Sequence, residues 1–219
     1  MEFLSVPQAA ERLGVSERRV RQLIELRRLP AQKVGKRWIV DAKDIHEMRE
    51  SDRQAGRPYS SRNAWALLVL AAGREPGWLS SPERTRLQGI LESHGIAKLL
   101  PRLSRRSEVL KWYVHPSLLE RLSADPRTVI GGAGAADTLI DESRVEVYIP
   151  SACRQQIESE YFVELEADRP NVIARSIDGP WPFDSGQQVA DAVVAAADLR
   201  EHASDPRLVR IAEELLADA

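Results

Sequence analysis

Residues 15–40 read VSERRVRQLIELRRLPAQKVGKRWIV. They carry eight Arg or Lys between two apolar rows, then pass through a glycine into a short alternating stretch. Val20, Leu23 and Ile24 recur at i, i+3 and i+4, the spacing of one buried helix face. Ser16 suits the N-cap, with Glu17 in the first turn, and Leu29 and Pro30 close the element. That buried row leaves Ser16, Glu17, Arg18, Arg21 and Gln22 on the open face. Arg pairs bidentately with guanine and Gln with adenine, so these residue types can specify bases as well as bind phosphate.

Upstream, Ser5 and Gln8 have capping-box spacing, and Ala9, Ala10 and Leu13 share a face before Gly14 ends the helix. A helix-turn-helix needs two helices meeting through a short turn, with a small residue at the contact and a glycine in the turn. Ala10, Gly14 and Val20 supply the small contact residue, the turn glycine and a buried β-branched residue. Downstream, Val34, Trp38 and Val40 surround Gly35–Lys36 within residues 31–40, the composition of a tight hairpin. Lys33, Lys36 and Arg37 sit at or beside its tip, where they could touch the DNA backbone or minor groove. Asp41 then caps a third helix, Ala42 to Arg49, and the Arg27–Arg28 pair suits the negative end of the second helix.

Residues 3–50 thus resemble the winged helix-turn-helix of the excisionase and MerR type: helix, turn, recognition helix, short basic wing. We expect Ser16, Arg18, Arg21 and Gln22 to read sequence, and Arg19, Lys33, Lys36 and Arg37 to position the backbone. The MerR family proper continues into a long dimerising coiled coil, and residues 51–104 contain no sustained heptad run, so an effector-sensing activator of that kind is not expected.

The rest of the chain differs in charge. Residues 1–50 hold 11 Lys and Arg against 8 Asp and Glu, residues 51–104 hold 8 against 4, and residues 105–219 hold 12 against 21, so a basic front precedes a tail of −9. A basic front suits a polyanion; an acidic back suits a basic protein surface. The 219 residues carry no apolar run of membrane-spanning length, and Met1–Glu2 lacks the basic flank of a secretory signal. The single cysteine, Cys153, cannot form an internal disulfide, and cytoplasmic residence is expected.

We therefore divide the chain into a winged helix-turn-helix at 1–50, a Gly-, Pro- and Ser-bearing linker at 51–61, a small helical segment at 62–104 and a mixed α/β domain at 105–219. The fold class is a multi-domain α+β protein. Helices are expected from about Asn63 to Ala72, and from a Ser81 cap with Pro82 at the first position to His94. Strands are expected in VLKWYV, TVIGG, VEVYIP, YFVELE and NVIARSI. The end is helical, with Val189, Val193, Val194 and Ala197 on one face, and then a helix from Ser204–Asp205–Pro206 carrying Leu208, Ile211 and Leu215.

Residues 128–150, TVIGGAGAADTLIDESRVEVYIP, superficially resemble the entry to a minimal nucleotidyltransferase, in which a Gly-Gly pair precedes a strand bearing an Asp-x-Asp pair. Here the strand offers Val145–Glu146–Val147, and one carboxylate cannot hold two Mg²⁺ ions. The Gly-Gly is equally a close-packed strand-to-helix turn. Cys153, His46, His94, His115 and His202 lack metal-ligand spacing, and no phosphate loop or nucleophile elbow occurs. Trp112, Tyr113, Tyr148, Tyr161, Phe162 and Trp181 read as core and corner residues, because their segments are acidic. No catalysis, metal or cofactor is expected.

The stretches SRNAWALLVLAAG, SPERTRLQGIL, HPSLLERLSADPRTVIGGAGAADTL, VEVYIP and VVAAADLREHASDPRLVRIAEELL are similar to the antitoxins of AbiE-type toxin–antitoxin pairs, in a form with an added helix-turn-helix. That resemblance implies a repressor of its own operon whose back half antagonises a nucleotidyltransferase-like toxin. The partners would be operator DNA, bound by a homo-oligomer, and that toxin. A stand-alone regulator or excisionase-like protein of a mobile element is the alternative, and a nucleotidyltransferase the third.

Overall fold

The computed structural model describes residues 3–25, 29–35, 37–46, 48, 57–136, 144–165, 167–201 and 206–217. The chain is a mixture of helix and strand with two sheets. In the front unit, β1 (Phe3–Ser5) leads into α1 (Val6–Leu13) and α2 (Glu17–Glu25). The hairpin β2 (Gln32–Val34) and β3 (Arg37–Asp41) follows, then helical residues 42–46, here α3, with Lys43 N–H donating to Asp41 Oδ1 at 2.9 Å. The rest of the expected third helix, like the Arg27–Arg28 pair, falls wholly or partly outside the described residues.

Local chemistry explains these boundaries. Ser5 and Gln8 form a reciprocal capping box at the start of α1, and Gly14 ends the helix at φ 69°, in the left-handed region where a Cβ costs about 1 kcal/mol or more. β1 pairs antiparallel with β3, so the sheet runs β1-β3-β2 and folds the hairpin back onto the helices. Val6, Ala9, Ala10, Val20, Leu23, Ile24, Val40 and Ile45 form one core that locks helices and hairpin together.

The larger unit is built on a five-stranded sheet of order β5-β6-β8-β4-β7: β4 (Glu108–Tyr113), β5 (Val129–Ile130), β6 (Val145–Pro150), β7 (Glu164–Leu165) and β8 (Val172–Ile177). Its β6–β8 pair is parallel and the other pairs are antiparallel. Side chains alternate across a strand. Val147 accordingly joins a core on one face with Trp112, Val172, Ala174 and Ile157 of α9 (Arg154–Glu160), while Tyr148 joins the core on the other.

That second core takes in residues 62–104. α4 (Ser61–Ala71) has six consecutive buried residues, Ala64 to Val69, and is enclosed on all sides. α5 (Ser81–His94), α6 (Ile96–Leu99) and α10 (Ala192–Glu201) pack with it: Leu87, Leu99, Val193 and Val194 share one cluster with Trp65, Tyr148 and Phe183. The helices that the sequence sets apart as a segment therefore share a core with the sheet. Trp65, Tyr148 and Phe183 meet edge-on or tilted at centroid distances of 5.2 to 5.5 Å, the geometry that the ring quadrupoles favour. α7 (Leu119–Ser123), α8 (Gly132–Ala135) and α11 (Pro206–Ala217) complete the unit, and among the described residues no helix is long and apolar enough to cross a membrane.

Several expected details differ. The cap of α5 is Ser80 rather than Ser81, because Ser80 reciprocates with Glu83. Val189 lies before α10, is 44% exposed and takes part in an isolated bridge to Ile130. Of the described residues of YFVELE, 161–165, Glu164–Leu165 are strand, since Tyr161 ends α9. Phe162 is not a core residue: it is 83% exposed at φ 51°.

One ionic cluster makes a pH prediction. Arg127 holds the Asp125 carboxyl down to about 2 through paired hydrogen bonds, with Tyr161 donating to Asp125 at 2.7 Å, and Arg127 also reaches Glu160 of α9 at 2.7 Å. A depressed carboxylate stabilises the fold above its unfolded value of about 3.9 and loses that contribution as pH falls toward 2. The melting temperature should drop across that window, and Asp125→Asn should flatten the drop. An unchanged slope in the variant would remove Asp125 from the account.

Candidate nucleic-acid interface

α2 divides into opposed rows. Val20, Leu23 and Ile24 are buried, and Arg18, Arg21 and Gln22, at the same i, i+3, i+4 spacing two residues earlier, are exposed on the far side. Ser16 Oγ caps the helix by accepting from Arg19 N–H at 3.2 Å. Arg19 Nη1 donates to Gln22 Oε1 at 2.7 Å, and Arg21 Nη2 pairs with Glu17 Oε2 at 2.7 Å, with both of the latter side chains about half exposed. Exposed pairs of this kind contribute roughly 0.3–0.5 kcal/mol, so a base or phosphate can take either Arg at little cost. Arg18 meets no partner among the described residues.

In the hairpin, Lys33 stands opposite Trp38, with Nζ 5.8 Å from the ring centroid, and Arg37 stands opposite Val34. Lys33 and Arg37 are exposed beside the turn; Lys36 lies outside the described residues. The structure thus brings Ser16, Arg18, Arg19, Arg21 and Gln22 onto one exposed helix and Lys33 and Arg37 onto one exposed hairpin, joined by a common core.

A second cluster escaped the sequence reading. Arg106 and Arg175 are 1% and 2% exposed. Asp198, fully buried, is bonded to Arg106 and accepts from Tyr148 Oη at 2.5 Å and Gly132 N–H at 3.0 Å. Glu201 bridges both guanidiniums, at 2.6 Å from Arg106 and 2.8 Å from Arg175, and Arg175 Nε is paired with Glu146. Burial opposes the charge on Glu201, but Arg106 and Arg175 hold its carboxyl down to about 2. Burial pushes the Tyr148 phenol well up, which keeps it a hydrogen-bond donor. The Arg106 carbonyl accepts from Trp65 Nε1 at 2.8 Å and Ser61 Oγ at 2.7 Å, so the cluster ties α4, α10, β6 and β8 together. Its sequence signal is a charge inside an apolar run: Arg175 in NVIARSI and Asp198 in VVAAADL.

The same cluster gives the Gly131–Gly132 pair a packing role. A Cβ at Gly131 would come within 2.9 Å of the Tyr148 ring, and one at Gly132, where φ is 55°, would collide with the Glu146 carboxylate. Gly132→Ala should therefore destabilise the chain by about 2 kcal/mol or more, read as a lower urea midpoint. An unchanged midpoint would contradict the close packing.

Neither the search of curated proteins nor that of solved structures finds a match. Residues 3–53 match the family described as "Helix-turn-helix domain". With the opposed rows of α2, that match makes the front unit of this chain a helix-turn-helix domain and supports a DNA-binding regulator or an excisionase-like role.

Proposed function

We propose that the chain is a sequence-specific, non-catalytic repressor that lays α2 in the major groove and uses the β2–β3 hairpin as a wing. The observation that carries this reading is the exposed row Arg18, Arg21 and Gln22 within a matched helix-turn-helix. Ser16 joins the row at its N-terminal end. Arg19, Lys33, Lys36 and Arg37 hold phosphates, which fixes orientation and makes affinity salt-dependent. A helix-turn-helix of this size buries little surface alone, so we expect two or more copies on repeated half-sites.

Phosphate contacts are tested by salt. Lys33→Ala and Arg37→Ala should weaken binding to specific and unrelated duplexes alike, and each should reduce the slope of log K against log salt by about 1. A loss confined to one sequence would make either residue a base reader instead.

The antitoxin reading is the finer form of this proposal. It is supported by the resemblance of residues 62–219 to AbiE-type antitoxins and by the net −9 of residues 105–219, which suits a basic partner. Co-expression with the product of an adjacent nucleotidyltransferase frame should relieve the growth arrest that product causes. Arrest that persists, with operator binding intact, would favour the stand-alone regulator.

A further inference from the structure

A cavity of about 890 Å³ opens over the uncovered part of the sheet, lined by parts of β4, β8 and the loop before β4, with Arg19 and Glu25 of α2 on its side toward the front unit. α10 covers β6 and β8 on this face but leaves β4 open: Val109 and Lys111 are exposed, while Arg175, beside Val109 in the ladder, is buried at the cavity floor.

Hydrogen-bond donors without partners converge here. Arg175 spends Nε on Glu146 and Nη1 on Glu201, and its Nη2 meets no acceptor among the described residues. Ser107 Oγ is buried with no partner among the described residues, an arrangement that costs about 1–3 kcal/mol when nothing fills it. Arg105, exposed on the rim, makes no ion pair or hydrogen bond among the described residues, and Lys111 Nζ has only the Glu25 carbonyl, at 3.1 Å. Of the lining carboxylates, Glu25 of α2 is exposed, and the other three each have a partner. Glu201 lies between Arg106 and Arg175, Glu108 is paired with Arg154 at 3.1 Å, and Asp178 accepts from Ser151 at 3.5 Å.

We propose that this cavity is a binding site for a small oxyanion-bearing ligand whose phosphate sits between Arg105, Ser107, Lys111 and Arg175. A tetrahedral oxyanion offers the several acceptors these donors lack, and charge-assisted bonds to guanidinium are the strong ones. The cavity exceeds what inorganic phosphate needs and falls in the range of sites for nucleotide-sized molecules. Arg18, Arg21 and Gln22 do not line the cavity, though Arg19 and Glu25 of the same helix do, and the four donors proposed for the phosphate do not include a DNA-binding residue, so the proposal does not depend on the DNA-binding reading.

The test is calorimetric titration of the full chain with inorganic phosphate and, separately, with a nucleoside monophosphate. Binding of either is expected, and tighter binding of the nucleotide would identify a nucleotide as the source of the phosphate. Arg105→Ala combined with Ser107→Ala should weaken binding at least about tenfold. Neither side chain has a partner to lose among the described residues, so the fold should stand, as circular dichroism would show, and Lys111→Ala provides an independent second variant. Failure of the wild-type chain to bind either probe, or equal binding by both variants, would overturn the proposal.

Discussion

Arg18→Ala combined with Arg21→Ala is expected to lower affinity for the preferred duplex by about 100-fold or more, because each bidentate base contact contributes roughly 1–3 kcal/mol. Non-specific binding at low salt should survive, since Arg19, Lys33 and Arg37 remain. The fold should be untouched: Arg18 has no partner among the described residues, and the Arg21–Glu17 pair is exposed. Competitive fluorescence anisotropy against unrelated DNA separates the two terms. Undiminished discrimination in the double variant would move sequence readout off this face of α2.

The largest stability effect is expected at Asp198. Asp198→Ala takes the fully buried carboxylate away from Arg106, which keeps only the partly buried Glu201, and orphans Tyr148 O–H and Gly132 N–H together. Removing one side of a buried ion pair costs about 3–5 kcal/mol, a large share of the roughly 5–15 kcal/mol that holds a typical domain folded. Urea unfolding followed by tryptophan fluorescence should show the loss, because Trp65 packs on Tyr148 in the same core. The control is Glu213→Ala, whose partner Arg200 lies at 3.7 Å in an exposed pair, where a change within about 0.5 kcal/mol is expected. A loss at Asp198 no larger than at Glu213 would mean that the cluster does not hold the sheet to α10.

The front unit was the legible part of the chain, because its signals are local. A capping box at Ser5 and Gln8, a glycine between Ala10 and Val20 and an i, i+3, i+4 row mark helix, turn and helix within about twenty residues, and the structure has each of them. VEVYIP is likewise a strand over its whole expected length. The larger unit was legible as elements and not as an arrangement. Nothing local says that β8 lies between β6 and β4, or that α4 packs on Tyr148 some eighty residues later. Its buried charges were harder still, because Arg106, Arg175 and Asp198 are stabilised by one another across the fold, and sequence spacing does not record such distances. Phe162 misled for the converse reason: an aromatic beside Tyr161 and Val163 reads as core until the end of α9 turns it outward.

The central claim is that α2 reads DNA sequence, and the most direct measurement is selection of bound duplexes from a random pool by the full chain. Enrichment of one motif is expected, with guanine or adenine at the positions facing Arg18, Arg21 and Gln22. Two half-sites should recur at about one helical turn, near 10 base pairs. A pool that stays random after repeated rounds, with binding that depends only on salt, would contradict it.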